Sequence, residues 1–321
     1  MQRRTFMTGV AATVALPMAR AQTLPTQPVR IIVGFAPGGG TDILARVIGQ
    51  KLSEMWKLSI VVENRAGASG VIASDYVARQ APDGTVLHMA HINSHAIVPN
   101  LQKVNYDPIK DFQPIALVGV TPNLLVCGQM QPAKTVKDLV ELCKAHPGQV
   151  SFGSAGTGSA QHLALEMFML QAGVKAIHVP YKGSGPMLTD LVGGQVQYSF
   201  DTMTAATPHV KAGKAVAIAQ TRLKRAASHP TVPTMAESGF PNFEATTWYG
   251  LVGPAKLPLA MAQRMNEDVN KALAMPDVVE KLNVSGAEDG GGSIEKFAQF
   301  MVAEQSKWAK VIREAHVKVE S

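Results

Sequence analysis

The sequence predicts an α/β fold arranged in two lobes, and three observations carry this prediction. An apolar run at 31–33 is followed by a glycine-rich turn and then by an amphipathic helix. The same order of strand, small-residue turn and helix returns more than a hundred residues later, over 150–172. Between these units, strand and helix patterns alternate, which is typical of a parallel sheet covered by helices. Two similar units so far apart indicate two lobes that face one ligand.

The first unit predicts a buried strand, a tight turn and a helix. The apolar run of 29–33 indicates the strand, Pro37 ends it, and the glycines of 38–40 permit backbone angles that other residues resist. Thr41 or Asp42 is expected to cap the helix that follows. The apolar face of that helix consists of Ile43, Leu44, Val47, Ile48 and Leu52. Free backbone N–H groups and the positive end of the helix dipole make such a turn a ready anion site.

The remaining pattern places the other elements and the boundaries of the lobes. Further strands are predicted at 59–63, 85–90, 115–120, 124–127, 150–153, 177–180, 197–201, 215–220 and 248–252. Further helices are predicted at 71–80, 136–145, 160–172, from the turn at 182–186 to 192, and near 258–274 and 293–315, with a turn at 93–95. We expect lobe 1 to comprise 22–123 and 223–321, with lobe 2 (124–222) inserted. The chain then crosses between lobes near 122–127 and near Thr221.

The first 21 residues predict a cleavable export signal and hence a periplasmic protein. They combine a basic start, an apolar stretch to Met18 and a small-x-small sequence that ends at Ala21. The pair Arg3-Arg4 also resembles a twin-arginine signal, so both export routes stay open. Removing this segment lowers the formal net charge from +6 to +3, because it holds three arginines and no acid. So mild a charge does not predict a nucleic-acid partner.

The two cysteines allow two interpretations. Cys127 fits a strand and Cys143 fits the face of a helix, so each is interpretable as a buried thiol. An oxidising periplasm would also permit a disulfide between them, and their spacing in the sequence does not decide between the two interpretations.

Three classes of chemistry are disfavoured by what the motifs lack. Both small-residue loops lack the last glycine of G-x-G-x-x-G and a Walker lysine, which argues against a nucleotide. A serine nucleophile is disfavoured because 67–71 lacks the last glycine of G-x-S-x-G. Ser293 of an S-x-x-K match is interpreted as a helix N-cap, and His162 as a packed or ligand-facing residue. His88, His91 and His95 fit a strand and a turn, which would scatter their side chains, so we expect no metal and no cofactor.

The two loops, 35–42 and 154–159, contain no lysine or arginine. An anion there would be held by backbone N–H groups, hydroxyls, two helix dipoles and bridging water. Such a site fits a carboxylate that is held reversibly, although phosphate is also possible on physical grounds. Asp42 and Asp201 are as suited to orienting backbone or water as to touching a ligand.

At these residues the chain resembles the Bug family of extracytoplasmic solute receptors of tripartite tricarboxylate transporters. The resemblance extends in order over nearly the whole chain. It is carried by VRIIVGFAPGGGTD at 29–42, VVENRAG at 61–67, APDG at 81–84, YDPIKDF at 106–112, SAGTGSAQHL at 154–163, HVPYKG at 178–183 and VPTMAESG at 232–239. The chain departs from the family at Gly34, where many relatives have proline.

The resemblance implies a two-lobed periplasmic binding protein of type II-like architecture, with two Rossmann-like lobes joined by a two-strand hinge. It implies a monomer without catalytic activity that closes on an organic acid, an aromatic acid or an acidic amino acid and passes it to two membrane subunits. Ligand contacts carried over are Phe35, Gly39, Gly40, Thr41, Asp42, Ser154, Ala155, Gly156, Gly158, Ser159 and Asp201, with two bridging waters. Asn93, Ser94, Tyr181 and Trp248 are expected on the variable side of the pocket. A sensor that signals to another protein, or a secreted hydrolase or oxidoreductase, remain alternatives.

Overall fold

Strands and helices alternate along the chain, as the sequence predicts. The computed structural model describes residues 24–284 and 286–314, and the expected export signal at 1–21 lies outside them. The strands are β1 (Val29–Val33), β2 (Ile60–Asn64), β3 (Val86–His91), β4 (Phe112–Gly128), β5 (Ser151–Ser154), β6 (Ile177–Pro180), β7 (Tyr198–Thr202), β8 (Ala215–Gln220) and β9 (Thr246–Pro254). The helices are α1 (Gly40–Trp56), α2 (Val71–Ala78), α3 (Val98–Leu101), α4 (Val136–Ala145), α5 (Ala160–Ala172), α6 (Ser184–Val192), α7 (Met203–Lys211), α8 (Leu259–Leu273), α9 (Pro276–Val284) and α10 (Ile294–Glu314).

The strands pair in the order β2-β1-β3-β9-β4-β7-β5-β6, and β8 also pairs with β4. Lobe 1 contains the parallel strands β2, β1 and β3, and lobe 2 contains the parallel strands β6, β5 and β7. The expectation of a parallel sheet is wrong for the middle of the molecule. There β9 is antiparallel to β3 and β4, and β4 is antiparallel to β7 and β8. The antiparallel strands are the ones that carry the chain between the lobes.

Strand β4 runs through both lobes without a break, whereas the sequence predicts two strands separated at Pro122. Its first part pairs with β9 as far as Pro122, and its second part pairs with β7 and β8 from Asn123 onward. The N–H of Val120 points away from β9 and donates to Glu288 O at 2.8 Å. Pro122 lies two residues further along, so its missing donor also lies on the side away from β9. The strand therefore accommodates the proline.

The chain returns to lobe 1 later than the expected boundary at residue 223. Met235, Phe240 and Phe243 pack into the apolar core of lobe 2, which also contains Leu125 and Phe152. At the crossing, Ala245 N donates to Thr221 O at 3.1 Å, and Thr221 Oγ1 accepts from Asn123 N at 2.8 Å. The packing thus places the second crossing next to Ala245, where β9 begins, because the aromatic residues before it need the core of lobe 2.

Several local predictions are corrected and others are confirmed. The expected turn at 93–95 is one turn of π-helix (Asn93–Ile97) that leads into α3, and α7 and α9 were not predicted. Ser293 accepts from Lys296 N at 3.2 Å, which confirms it as an N-cap. Cys127 and Cys143 are buried free thiols in the core of lobe 2, on a strand and a helix. Across the described ranges, every helix is too short or too polar to cross a bilayer.

Candidate functional site

The first loop, 35–42, presents unpaired backbone donors at the N-terminus of α1. The N-cap is Gly39 in extended conformation, and no side chain accepts from the first turn. Within residues 24–284 and 286–314, the amides of Gly39, Gly40 and Thr41 have no hydrogen-bond acceptor. These donors and the helix dipole point toward lobe 2 and form an anion site on the lobe 1 side.

Asp42 stabilises this loop from behind, so the expectation that Thr41 or Asp42 caps α1 is wrong. The Asp42 carboxylate accepts from Gly38 N at 3.0 Å, from Asn64 Nδ2 at 2.9 Å and from Arg46. Burial alone would raise the pKa of Asp42, but the hydrogen bonds from Arg46, Gly38 and Asn64 outweigh it and hold that pKa below its usual range. Because its charge is used within lobe 1, Asp42 positions the loop.

Tyr249 of lobe 1 and Thr202 of lobe 2 approach the first turn of α1 so closely that only glycine fits at Gly40. A Cβ at this position would lie 2.5 Å from Tyr249 Oη and 2.9 Å from Thr202 Oγ1. Gly39 lies against Ser184, the first residue of α6. The two lobes also share a direct backbone hydrogen bond, from Ala36 N to Lys182 O at 3.0 Å. The structure is therefore a closed form, with the α1 terminus sealed against lobe 2.

Asp201 lies at the end of β7, beside this contact, and is fully buried. Its Oδ1 accepts from Ser184 Oγ at 2.5 Å, from Thr202 N at 2.8 Å and from Gln161 Nε2 at 3.4 Å. Burial raises the pKa of Asp201 to about 6, against the lowering effect of these three hydrogen bonds. The carboxyl group is therefore close to neutral at mildly acidic pH.

Unpartnered polar atoms from both lobes meet in this region. Asn93 Nδ2, Gln161 Oε1 and Asp201 Oδ2 are buried and have no hydrogen-bond partner among the described residues. Asn93 spans the cleft, because its Oδ1 accepts from Ala160 N at 2.8 Å, the first amide of α5. Buried polar groups in proteins are almost always paired with protein, water or ligand. These three atoms therefore call for polar partners from a ligand or from water, as do His95 Nε2 and Trp248 Nε1, which are also buried without a partner among the described residues.

The second loop, 154–159, is not the open anion site that the sequence suggests. Gly156 N donates to Ser154 Oγ at 3.1 Å, and Ser159 N donates to Gly156 O at 3.0 Å. Gly158 N donates to His162 Nδ1 at 3.1 Å, while Ser159 Oγ caps α5 by accepting from His162 N at 3.2 Å. Ala160 N also donates to Asn93. Most backbone N–H groups of this loop therefore already have an acceptor. The two loops are alike in sequence pattern and unlike in available donors.

Two histidines support the second loop from behind. The rings of His162 and His178 are stacked, with centroids 3.9 Å apart and planes 12° from parallel. His178 Nε2 is 2.6 Å from Ser154 Oγ, and His162 Nδ1 accepts from Gly158 N. Each ring therefore forms one hydrogen bond to the loop. Burial lowers the pKa of His178 to about 4, which keeps it neutral at physiological pH. The pair keeps the loop in shape, and His178 does so without adding charge.

A cavity of about 340 Å³ opens between the lobes, and its lining does not include the predicted residues Gly39, Gly40, Thr41, Asp42, Asn93, Ser94, Ser154, Ser159 and Asp201. Its walls include the predicted residues Phe35, Ala155, Gly156, Gly158 and Tyr181. Sequence reasoning missed the other lining residues, which are Gly34, Gly67, Ala68, Ser69, Val98, Gln102, Thr157, Pro180 and Lys182. Residues 67–70 form one wall and all have positive φ, and Ser69 Oγ donates across the cleft to Thr157 O at 2.7 Å. Two glycines in the Gly67-Ala68-Ser69-Gly70 segment were the available sequence signal.

Some residues expected in the pocket have other partners. Ser94 Oγ bonds to His95 Nδ1 at 2.9 Å, within lobe 1. Trp248 packs in the lobe 1 core against Phe297. Tyr181 lines the cavity but donates its hydroxyl to Asp190 at 2.9 Å.

The histidines of β3 and the turn after it are not scattered, contrary to expectation. The rings of His88 and His95 lie 5.5 Å apart, and His91 lies between the rings of Phe35 and Tyr249. All three are buried. Across the described ranges, no group of three possible ligands is arranged to hold a metal ion.

Comparison with known proteins gives one consistent result. The model of the tripartite tricarboxylate transporter family receptor, TctC, matches residues 44–317. Protein BugT of Bordetella pertussis is 35% identical over 313 residues, which cover 97% of this chain and 94% of BugT. A UPF0065 protein from the tcbD-tcbE intergenic region of Pseudomonas sp. strain P51 is 38% identical over 319 residues, with 97% and 94% covered.

Solved structures agree with this result. Rpa4515 of R. palustris with adipate superposes with a TM-score of 0.88 at 36% identity, covering 92% of this chain and 99% of that one. MatC (Rpa3494) from Rhodopseudomonas palustris with bound malate superposes with a TM-score of 0.85 at 32% identity, covering 90% and 100%.

Proposed function

Since the chain belongs to the tripartite tricarboxylate transporter receptor family, we propose that it captures a small carboxylate between its lobes and delivers it to a secondary transporter. Receptors of this family are periplasmic solute-binding proteins, and the structural relatives include a periplasmic transporter and the periplasmic binding protein BugD. We place this chain in the periplasm as well, after removal of residues 1–21. It acts there as a monomer that binds its ligand without transforming it.

The observation that carries the proposal is the set of free amides at the N-terminus of α1. The amides of Gly39, Gly40 and Thr41 face lobe 2, with buried unpartnered atoms of Asn93 and Gln161 nearby. A carboxylate fits donors of this kind, because backbone N–H groups and a helix dipole bind one negative charge reversibly. Carboxylates are also what two relatives hold, since Rpa4515 is described with adipate and MatC with malate.

Delivery of the ligand to a transporter depends on the closed form of the receptor. The direct hydrogen bonds between the lobes exist only when the cleft is shut, so the closed surface differs from the open one and can be recognised by membrane partners. We propose two integral membrane subunits as these partners. The ion gradient that drives these subunits, and not the receptor, would supply the energy for uptake.

Calorimetry and thermal shift with a panel of acids test the proposal. The panel comprises adipate, malate, citrate, benzoate, aspartate and glutamate, with phosphate and sulfate as the competing anions. A carboxylate at about 100 times its Kd should stabilise the protein by about 2.7 kcal/mol, which corresponds to a rise in Tm of roughly 5 °C. A response to phosphate alone, or to none of the acids, would contradict a carboxylate receptor.

Two glycines of α1 provide a matched pair of variants. Gly40→Ala should weaken binding by at least tenfold, because its Cβ would lie 2.9 Å from Thr202 Oγ1 of lobe 2 when the lobes close, and 2.5 Å from Tyr249 Oη within lobe 1. Gly49→Ala, in the same helix, faces Ile31 and Ile60 at ordinary contact distances and should leave the affinity unchanged. Equal affinity of both variants would place the ligand elsewhere.

A further inference from the structure

The two oxygens of the Asp201 carboxyl have very different surroundings. Oδ1 accepts all three available hydrogen bonds, from Ser184, Thr202 and Gln161, whereas Oδ2 is buried and has no partner in the described chain. An ionised carboxylate shares its charge between both oxygens, and leaving one of them buried without a donor is costly. A neutral carboxyl removes the buried charge, and a proton on Oδ2 is satisfied once a ligand supplies an acceptor for it.

The elements packed around Asp201 supply no positive charge to hold it ionised. From β9, Tyr249 interacts with it electrostatically, but burial raises the pKa of this phenol to about 12 and keeps it neutral. From β3, His91 contacts the ring of Tyr249, and burial lowers the pKa of His91 to about 3, so it is also neutral.

The remaining neighbours bring no cation either. Helices α5 and α6 present the neutral Gln161 and Ser184, and β4 presents Leu124 in register. On α1, Asp42 is the nearby acid, and its charge is bound by Arg46 and Asn64 behind the loop.

We propose that Asp201 carries a proton on Oδ2 in the ligand-bound receptor and donates it in a hydrogen bond to the ligand carboxylate. Capture of the anion would then take up one proton from solvent. No covalent bond forms or breaks except the O–H bond on Asp201, and release of the ligand returns the proton to solvent. This inference rests on the proposed function and specifies the chemistry of its site.

The alternative charge state conflicts with the ligand. An ionised Asp201 next to a carboxylate would place two like charges in a buried space, where their repulsion is weakly screened. Two carboxyl groups that share a site normally hold one proton between them. Because the three donors bind Oδ1, the proton resides on Oδ2. The next residue, Thr202, lies against the first turn of α1, where we propose that the anion binds.

The substitution Asp201→Asn mimics the proposed state. The amide oxygen replaces Oδ1 and accepts from Ser184, Thr202 and Gln161, while the amide NH₂ replaces the protonated Oδ2 as a permanent donor. Asp268→Asn is the control, because Asp268 is a buried acid of lobe 1 that bonds to Trp56 and Arg264, on a helix outside the cleft.

The experiment measures affinity and proton uptake for adipate and malate between pH 5 and pH 8.5. Isothermal calorimetry in buffers of different ionisation enthalpy counts the protons taken up. For the wild type we expect about one proton per ligand near pH 7.5. We also expect a Kd that is level below about pH 6 and rises about tenfold per pH unit above it, as uptake of one proton requires. Asp268→Asn should show the same profile.

Asp201→Asn should bind without proton uptake, with a level profile and a lower Kd than the wild type at pH 8. Infrared difference spectra should show a protonated carboxyl on ligand addition in the wild type and not in Asp201→Asn. If Asp201→Asn instead loses binding while the wild type binds without proton uptake, Asp201 is an ionised acceptor for a donor on the ligand, and the inference is overturned. If neither acid nor any other member of the carboxylate panel binds, the proposed function itself fails.

Discussion

At the scale of single residues, the site is built from side chains that act as acceptors for backbone donors. The side chains of Asp42, Ser154 and His162 accept hydrogen bonds from the backbone amides of Gly38, Gly156 and Gly158, respectively. Each of these bonds fixes a loop while adding little charge to the cleft. Binding strength then depends on residues that do not touch the ligand.

His162 provides a test of this dependence. His162→Phe keeps an aromatic ring against His178 but removes the acceptor of Gly158 N, so the second loop should loosen. Leaving a buried donor unpaired costs about 1–3 kcal/mol, so we expect the Kd for the bound acid to rise roughly tenfold. Calorimetry measures the Kd, and thermal unfolding shows whether the fold is intact.

His162→Gln should recover part of the affinity, because its side-chain oxygen can accept from Gly158 N. The exposed His146→Gln is the control and should bind as the wild type does. Equal affinity of His162→Phe and the wild type would show that the loop keeps its shape without this bond.

At the scale of elements, several segments of lobe 1 make direct hydrogen bonds to lobe 2. The first loop bonds through Ala36 to Lys182, the turn at 93–97 through Asn93 to Ala160, and the 67–70 segment through Ser69 to Thr157. Ser69 and Ala68 adopt left-handed backbone angles, with φ of 53° and 46°. A strained segment at a cleft is typical of a functional role, and here it places a hydroxyl across the opening.

Removing that hydroxyl should weaken closure selectively. Ser69→Ala loses one hydrogen bond that forms only between closed lobes, worth about 1 kcal/mol. We therefore expect roughly fivefold weaker ligand binding, with Tm of the ligand-free protein nearly unchanged. Ala68→Gly is the control, since it changes the same strained backbone and keeps the hydroxyl. If both variants bind alike, the Ser69 bond contributes nothing to closure.

At the scale of the whole molecule, the lobes share more than a hinge. Strand β4 is continuous between them, and Ala160 and Leu163 of α5 join the apolar cluster of lobe 1 together with Trp308 and Ile312 of α10. That cluster adjoins the buried histidines His88, His91 and His95. Global stability is therefore linked to the protonation of groups near the cleft.

The free energy of unfolding should fall as the pH falls from 7 to 5. Burial lowers the pKa of His88 to about 4 and that of His91 to about 3, whereas unfolded histidine titrates near 6.5. Between these values the unfolded chain binds more protons, so stability is fully present above about pH 6.5 and is lost below it. For these two residues the loss at pH 5 is roughly 4 kcal/mol.

Urea unfolding at both pH values measures this loss. His88→Gln should show a smaller loss than the wild type, because one of the buried imidazoles is absent. The exposed His146→Gln is the control and should lose as much as the wild type. A wild-type stability that does not change between pH 7 and pH 5 would contradict the argument.

The sequence by itself determined most of the elements and the two loops, because their patterns depend on neighbours within a few residues. Helices α4 and α5 and strands β6 and β8 have the bounds predicted from sequence. The family resemblance also follows from local motifs, and the comparisons confirm it.

Only the tertiary structure decided which donors of those loops remain free. Asn93 and Ala160 are 67 residues apart, and Ser69 and Thr157 are 88 apart, so no local pattern could reveal that they pair across the cleft. The same holds for Asp201, whose donors come from α5 and α6. Two loops with similar sequences therefore differ in their free backbone donors, because hydrogen bonds made by distant side chains use most of the donors of the second loop.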